Sequence, residues 1–321
     1  MTLVRLGFVA MALSLQNSSP SQTMTYKTFS NTENKEAAML KLERITKSNL
    51  SNTLRILRHN AAHDIKFYRM TSRLVPLATH EALSDWDYLN AIEEELAEIG
   101  QFVKEKDMRV DFHPDHFVLI NSPKKDVLKM SIKTLLLHKQ LLDGMNLDPL
   151  HRCVLHVGGM YGDRQLALER FVENWMIVPR SVQRLLILEN DDKSFHLEDT
   201  LYLCEKLDIP LVFDYHHHLA HHENKHWEEH WERVTKTWSH SPFAVKMHIS
   251  SPKSEKQFRA HSDFVDPDMF MDFLNKIKGS VEQIDCMIEA KKKDEALFKL
   301  MQDLKTYNNI EIIDGASFYI K

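Results

Sequence analysis

The chain has 321 residues, 43% of them hydrophobic and 27% charged, a composition typical of a globular protein with a sizeable core. The net charge of -5 argues against a surface coated with basic residues, although a basic groove along one face, which is all that phosphate binding needs, remains compatible with it. Three widely spaced cysteines, Cys153, Cys204 and Cys286, disfavour a disulfide framework or a zinc knuckle and favour a reducing cytosol.

The N-terminal segment Met1–Leu15 permits two interpretations. Its apolar run and Ala10-Met11-Ala12 triplet resemble a signal peptide. Leu3–Val9 also has the composition of a buried first strand, and the single Arg5 and the interrupting Gly7 weaken the signal-peptide interpretation. We therefore predict a strand here. No stretch is long enough to span a membrane.

Short apolar runs alternate with longer amphipathic segments along the whole chain. The predicted strands are Leu3–Val9, Ile65–Met70, Arg109–Phe112, Cys153–Val157, Leu185–Leu188, Leu211–Phe213, Ala244–Ile249 and Cys286–Ile288. The predicted helices are Lys35–Asn60, Leu89–Glu105, Asp126–Gly144, Arg164–Trp175, Leu197–Lys206, Asn224–Ser239, Asp268–Lys278 and Asp294–Tyr307. Eight strand–helix units of about 40 residues, with continuously apolar strands, predict a parallel (β/α)₈ TIM barrel. Ile310–Ile313 is a further short strand or a tail that closes the barrel.

A doubly wound open sheet is the alternative fold, but it would favour a GxGxxG turn after the first strand. Gly7 stands alone there, and Gly158-Gly159 follows the fourth strand. No repeat, low-complexity tract or linker is visible, so residues 1–321 are predicted to form one domain.

Nearly every predicted strand ends in residue types that bind metals. These strand ends contain Asp111 and His113, His156, Glu189, Asp214 with His216, His217 and His218, His248, and Glu289. In a barrel these ends meet at one rim, where barrel enzymes have their active sites. A single histidine or glutamate at a strand end is usually structural, but burying so many together without a cation is costly. The mixture of imidazole and carboxylate suits Mn, Zn or another first-row divalent ion.

Two spacings in this set predict which side chains lie close together. Lys246 and His248 are two residues apart, so both point to the same face of strand seven, which would be the barrel interior. A lysine facing cations makes sense if it is neutral, salt-bridged or carboxylated by carbon dioxide. Asp214 and His217 form an Asp-x-x-His pair, but the histidines at 216, 217, 218, 221 and 222 leave open which of them bind metal.

Ordered motifs from about residue 3 to about residue 315 resemble those of the UV damage endonucleases. The strings are LGFVAMALSL (6–15), SNLSNTLRIL (48–57), YRMTSRLVPLATH (68–80), FHPDHF (112–117), LHVGG (155–159), LENDDK (188–193), VFDYHHH (212–218), KMHISSPKSE (246–255), AHSDFVD (260–266) and MIEAKKKD (287–294).

The resemblance implies a (β/α)₈ barrel, similar in plan to endonuclease IV, with a cluster of three divalent ions that are usually Mn²⁺. By motif, the implied metal ligands are His113, His156, Glu189, Asp214, His217, Lys246, His248, His261 and Glu289. The family's lysine at the KxH position is carboxylated, which here would be Lys246. Glu189, Asp214, Lys246 and Glu289 would be the catalytic groups.

The resemblance also implies DNA-contacting residues. The family's lesion probe is Gln followed by an aromatic residue, and here it is His116-Phe117, which keeps an aromatic wedge but changes its polar partner. Many members have Gly-Tyr where this chain has Gly7-Phe8. His80, which ends PLATH, would lie near the metals and DNA. Lys193 and Lys253, on rim loops, would meet phosphates or be ordinary solvated lysines.

The implied reaction is hydrolysis of the phosphodiester immediately 5′ of a UV photolesion, either a cyclobutane pyrimidine dimer or a 6-4 photoproduct, to leave a 3′-hydroxyl and a 5′-phosphate. The damaged strand would be recognised because a photodimer kinks and flips at lower cost. The implied partner is double-stranded DNA carrying such lesions. The protein is expected to be a monomer without a membrane partner, in a bacterial cytoplasm and at the nucleoid when it acts.

Three other functions remain open. An abasic-site endonuclease of the endonuclease IV type would nick abasic DNA and ignore photodimers. A metal-dependent sugar isomerase of the same fold would have no duplex wedge. A metal-binding or DNA-architectural protein would bind without cleaving, but the negative net charge and the lack of a basic arm disfavour it.

Overall fold

Eight parallel strands close into a barrel in the computed structural model, which describes residues 1–321. The strands in chain order are β1 (Thr2–Val9), β2 (Phe67–Arg69), β3 (Arg109–Asp111), β4 (Cys153–His156), β5 (Leu186–Glu189), β6 (Leu211–Asp214), β7 (Val245–Ile249), β8 (Pro252–Ser254), β9 (Gln257–His261), β10 (Gln283–Ile288), β11 (Ile310–Ile312) and β12 (Ser317–Ile320). The barrel consists of β1 to β7 and β10, and every neighbouring pair is parallel. A parallel bridge between Phe112 and Cys153 joins β3 to β4.

The first strand has neighbours on both sides. It pairs with β10 along Leu3–Phe8 and with β2 along Gly7–Val9, while its first residues, Thr2–Arg5, pair antiparallel with β12. The predicted strand at Leu3–Val9 is therefore confirmed. The predicted short strand at Ile310–Ile313 is β11, which pairs with β12 as a C-terminal hairpin beside the barrel.

Helices surround the barrel. They are α1 (Tyr26–Ser30), α2 (Lys35–Ala62), α3 (Tyr88–Ala91), α4 (Glu93–Glu105), α5 (Lys125–Gly144), α6 (Arg164–Trp175), α7 (Arg180–Gln183), α8 (Leu197–Leu207), α9 (Tyr215–Ala220), α10 (Trp231–Lys236), α11 (Pro267–Ile277) and α12 (Lys293–Leu304), with 3-10 turns at Glu81–Leu83 and Trp227–His230. No helix combines the length and the apolar composition that a membrane crossing requires.

The structure differs from the sequence predictions at three places. The helix predicted over Asn224–Ser239 is a 3-10 turn followed by the short α10. The segment after β6, for which no helix was predicted, forms α9, because the Asp214 side chain accepts a hydrogen bond from the main chain of His217 and so caps a new helix. The hairpin β8–β9 was missed because most of its residues are exposed, which leaves no apolar face to detect.

Ion pairs fill the barrel interior below the rim. At the N-terminal end of the strands, the buried Asp285 accepts hydrogen bonds from Arg5, with Nε–Oδ1 at 2.7 Å, and from Arg109, with Nη1–Oδ2 at 2.8 Å. Lys246 and Asp111 form a second pair farther along. Because both buried aspartates are paired with cations, neither anion is left uncompensated in the interior.

Candidate metal and DNA site

Glu189 occupies the centre of the C-terminal rim. It is the last residue of β5 and is fully buried. Its Oε2 lies 2.9 Å from His113 Nε2 and 3.8 Å from His156 Nε2. Its Oε1 lies 2.9 Å from His248 Nδ1 and 3.4 Å from His217 Nδ1. One carboxylate therefore faces four imidazoles, each supplied by a different strand end.

The charge of Glu189 is maintained by those neighbours. Burial alone would raise its pKa, but the nearby His248 and His156 and the hydrogen bonds from His113 and His248 hold the pKa of Glu189 well below its ordinary value. Burial lowers the pKa of His248 to about 4, against the opposing pull of Glu189 and Glu289. The site therefore combines a carboxylate with a neutral imidazole, which are the protonation states that bind a cation.

Asp214 and His217 come from the junction of β6 and α9. Asp214 Oδ1 accepts from the His217 main-chain N–H at 2.7 Å, and its Oδ2 lies 3.7 Å from His217 Nδ1. Burial raises the pKa of Asp214, whereas burial would lower the pKa of His217 but is outweighed by the nearby Asp214, Glu189 and Glu289, which raise it. At 3.7 Å the two side chains do not form a hydrogen bond with each other, and Asp214 Oδ2 is left without a partner.

Glu289 follows β10 and closes the other side of the cluster. Its Oε1 lies 3.2 Å from His248 Nδ1 and forms an ion pair with Arg69. His261 Nδ1 is 2.7 Å from the Glu289 carbonyl oxygen, and its ring centroid lies 6.1 Å from that of His217. His261 is therefore at the edge of the cluster.

The structure separates the three consecutive histidines by their contacts. Both ring nitrogens of His216 are engaged, Nδ1 with Ser250 Oγ at 2.6 Å and Nε2 with the Phe258 carbonyl oxygen at 2.7 Å. His218 packs against the Phe213 ring, away from Glu189. His217 is the one of the three whose ring faces the carboxylates.

Three groups of side chains could each hold a divalent ion, and Glu189 belongs to all of them. They are His113, His156 and Glu189; Glu189, Asp214 and His217; and Glu189, His248 and Glu289, each with ligand atoms within 4.8 Å of one another. The buried Asp214 Oδ2 has no hydrogen-bond partner. Since buried polar atoms are normally satisfied, this unpaired oxygen and the mixed set of imidazoles and carboxylates fit first-row divalent ions.

Lys246 lies below the cluster. Its fully buried Nζ is 2.6 Å from Asp111 Oδ2, and burial lowers its pKa although Asp111 opposes the change. In the structure this lysine is salt-bridged to Asp111.

A groove of about 610 Å³ opens beside the cluster. His156, His217 and His261 line it together with His116 and Lys193. Next to it, Phe117 is 59% exposed and its ring centroid is 5.8 Å from that of His116. Lys253 is exposed on β8. These four predicted DNA-contacting residues are therefore all accessible on the rim side.

Two further residues are not where the resemblance implied. Phe8 is fully buried in the structure, with its ring centroid 5.5 Å from that of Tyr68. His80 stacks on Tyr26 with ring centroids 3.9 Å apart and accepts from the Ala82 main-chain N–H. These contacts hold His80 in its own loop and do not place it in the cluster.

Two residues that support the site, Arg69 and Asn190, were missed as functional candidates. Arg69 pairs with Glu289, and the Asn190 side chain exchanges two hydrogen bonds with the Asp214 main chain, at 2.9 and 3.0 Å. Both lie at or just after strand ends, so the convergence that identified the other residues could have identified these as well. Asp111, which the sequence placed at a strand end, pairs with Lys246.

Comparisons with known proteins agree with this geometry. The model of the family described as UV-endonuclease UvdE matches residues 4–319. A UV DNA damage endonuclease of Halalkalibacterium halodurans is 49% identical over 315 residues, covering 98% of each chain. The crystal structure of SacUVDE superposes with a TM-score of 0.81 at 29% identity, covering 94% of this chain and 98% of that one. Endonuclease IV from Thermus thermophilus, at a TM-score of 0.53 and 10% identity, covering 94% of this chain and 100% of its own, shares the fold.

Proposed function

From the premise that this chain belongs to the UV-endonuclease UvdE family and is a DNA repair endonuclease for UV damage, we propose that it hydrolyses the phosphodiester immediately 5′ of a photolesion. Its substrates would be cyclobutane pyrimidine dimers and 6-4 photoproducts in double-stranded DNA, and its products a 3′-hydroxyl and a 5′-phosphate. The observation that supports a hydrolytic site here is Glu189, a buried carboxylate that four imidazoles surround at the open end of the barrel.

The proposed cofactors are three divalent ions, with Mn²⁺ as the expected metal. Their ligands would be the three groups that share Glu189, with His261 at the edge. When bound, such ions polarise the phosphate, activate water and stabilise the leaving oxygen. Arg69 would neutralise Glu289 and fix its orientation. Asn190 would fix the position of the Asp214 backbone through its hydrogen bond to the Asp214 main-chain N–H.

The proposed DNA contacts follow the groove. His116 and the exposed Phe117 would enter the duplex at the lesion, where stacking is already weak and opening costs less. Lys193, in the groove, would bind a phosphate. We expect the protein to act as a monomer on chromosomal DNA in the bacterial cytoplasm.

Lys246 would join the metal ligands if it is carboxylated. In that reaction the neutral amine nitrogen attacks carbon dioxide, forms an N–C bond and loses a proton. The amine would first have to leave Asp111, 2.6 Å away. Exposure of protein loaded with diamagnetic Zn²⁺ to ¹³C-labelled bicarbonate should give a carbamate signal in the ¹³C spectrum that Lys246→Ala lacks. A spectrum without this signal would leave Lys246 in its salt bridge.

The test of the function is a nicking assay. Labelled duplexes with one thymine dimer, one abasic site or no damage are incubated with Mn²⁺ or with EDTA. The proposal predicts Mn²⁺-dependent cleavage just 5′ of the dimer, leaving a ligatable 3′-hydroxyl. Glu189→Gln should lose activity by several orders of magnitude, whereas Glu205→Gln, the same change at an outer-surface ion pair, should retain it.

Other outcomes would assign other functions. Cleavage only at the abasic site would make the chain an abasic-site endonuclease. Binding of metals without cleavage of any duplex would favour a small-molecule barrel enzyme.

A further inference from the structure

The hairpin β8–β9, Pro252–His261, protrudes from the rim and has an unusual charge distribution. Lys253, Lys256 and Arg259 are all exposed, and Glu255 is its only acidic residue. None of the three cations forms an ion pair or a side-chain hydrogen bond, although most arginines of the chain do. On a protein with a net charge of -5, three unpaired cations on one hairpin constitute a local positive surface.

The hairpin is fixed at its base. The Ser262 main-chain N–H donates to the Ser251 carbonyl oxygen at 2.8 Å, and Ser251 Oγ accepts from the Asp266 main-chain N–H at 2.8 Å. His216 adds a contact higher up, because its ring bridges Ser250 and the Phe258 carbonyl oxygen. Both ring nitrogens of this buried histidine are therefore engaged in holding the hairpin.

The hairpin also borders the catalytic groove. Its last residue, His261, lines the groove with His217 and Lys193, and Phe258, one residue before Arg259, is 38% exposed. A ligand that extends out of the groove on this side would meet Arg259, Lys256 and Lys253. An extended polyanion has the matching charge, and the sugar-phosphate backbone of a duplex carries one negative charge per ~1.7 Å of helix axis.

We propose that the hairpin Pro252–His261 is a DNA-backbone arm, in which Lys256 and Arg259 join Lys253 in contacting phosphates and His216 positions the arm. The inference rests on the proposed function, since it supposes that DNA occupies the groove. Phosphate contacts carry no sequence or lesion information. The arm therefore adds affinity for any duplex, and His116 and Phe117 remain the residues that discriminate damage.

The test measures how salt affects binding. Full-length, metal-loaded protein is titrated with undamaged duplex by fluorescence anisotropy between 50 and 200 mM salt. Each lost phosphate contact lowers the slope of log K against log [salt] by ~0.9. We expect the double variant Lys256→Ala, Arg259→Ala to lose about 1.8 from the magnitude of that slope and to bind at least about tenfold more weakly at low salt.

Two matched double variants control the test. Lys256→Arg, Arg259→Lys keeps both charges and should keep the wild-type slope. Lys299→Ala, Lys305→Ala removes two charges from α12 and the residue that follows it, away from the hairpin, and should also keep it. An unchanged slope in the hairpin alanine variant would overturn the proposal, and so would an equal loss in the charge-conserving variant.

A separate readout distinguishes failure of the arm from failure of the function. If the wild-type protein does not nick dimer-containing duplex, the proposed function has failed. If it nicks that duplex while the hairpin alanine variant keeps the wild-type salt slope, only the arm has failed.

Discussion

Phe117 is a large apolar side chain held in solvent, 59% exposed beside the groove. Stacking of an aromatic ring on a base is worth about 1–3 kcal/mol, so Phe117→Ala should weaken binding of dimer-containing duplex about tenfold. Binding of undamaged duplex should change little, because an undamaged duplex has no weakened base-pair step into which the ring could insert. Anisotropy titrations with both duplexes measure the difference.

The control for that substitution is Tyr202→Ala, which removes another exposed ring, 45% accessible, from the outer face of α8. It should bind both duplexes as the wild-type protein does. If Phe117→Ala lost affinity equally for both duplexes, or nicked the dimer normally, the wedge hypothesis would be wrong.

His138 gives the fold a pH dependence outside the metal cluster. It is fully buried in α5, its Nδ1 is 2.8 Å from the Thr134 carbonyl oxygen, and burial lowers its pKa to about 4. In the unfolded chain the pKa of this histidine is near 6.5, so as the pH falls the unfolded state binds a proton before the folded state does. The contribution of His138 to the free energy of unfolding is therefore fully present above pH 6.5 and is lost as the pH falls towards 4.

The corresponding experiment compares wild type with His138→Asn by urea unfolding in EDTA at pH 7 and pH 5. The wild-type free energy of unfolding should fall by about 2 kcal/mol more than that of the variant, which cannot titrate at this position. The other histidines titrate in both proteins and cancel. Equal losses in the two proteins would show that His138 does not contribute.

Single residues were predicted unevenly from sequence. His113, Glu189 and His248 follow from strand periodicity, because a residue type that binds metals at a parallel strand end must lie near its equivalents. His217 could not be separated from His216 and His218, because the helix that orients them exists only once Asp214 caps it. The burial of Phe8 comes from the neighbouring strands β2 and β10, which a linear sequence does not show.

At the scale of elements, α4 and α5 pack so closely that one glycine is required. A Cβ on Gly100 would lie 1.7 Å from the Met145 carbonyl oxygen, whereas one on Gly144 would meet the Leu96 side chain at 2.6 Å. Backbone cannot move aside without separating the helices, but a leucine can change rotamer. Gly100→Ala should therefore destabilise the fold by about 2 kcal/mol or more, despite the better helix propensity of alanine.

Gly144→Ala is the matched change on the partner helix and should cost less than about 1 kcal/mol, because helix propensity offsets the adjustment of Leu96. Chemical denaturation of both variants measures the two values. Equal free energies of unfolding for the Gly100→Ala and Gly144→Ala variants would contradict the proposed close contact between Gly100 and the Met145 backbone.

Elements with one buried face were predicted well, and elements without one were not. The apolar runs predicted all eight barrel strands, although β10 is longer than predicted and begins at Gln283. The hairpin β8–β9 has no such face. It is stabilised by contacts at its base, including Ser262 with Ser251, that only the folded barrel brings together.

For the whole molecule, the barrel ends in a cluster of side chains that could hold a cation. Glu189, Asp214 and Glu289 converge there, and Arg69, which pairs with Glu289, is the one arginine paired with them. A ligand that binds only the folded state stabilises it by about 2.7 kcal/mol at a hundredfold excess over its Kd. If the cluster holds metal as proposed, removal of metal with EDTA should lower the melting temperature by about 4 °C.

Differential scanning calorimetry with and without Mn²⁺ measures this shift, and Glu189→Gln, which lacks the shared carboxylate, should show almost none. A wild-type melting temperature that is insensitive to both Mn²⁺ and EDTA would contradict metal binding at this site.

The barrel architecture was the most predictable level, because eight repeated units and a convergent rim constrain topology strongly. The closure of the barrel depends on two strand pairings that the repeated strand–helix pattern of the sequence does not indicate. The Phe112–Cys153 bridge and the antiparallel β12 beside Thr2–Arg5 complete the sheet, and no local signal identifies either pairing.

The central position of Glu189 has a consequence for the proposed binding of more than one ion. Its Oε2 faces His113 and His156, while its Oε1 faces His217 and His248. If these groups hold separate ions, the first ion would fix the plane of the shared carboxylate and so prearrange the ligand atoms for the next one. Binding would then be mutually dependent, and a calorimetric binding isotherm should deviate from that of independent sites.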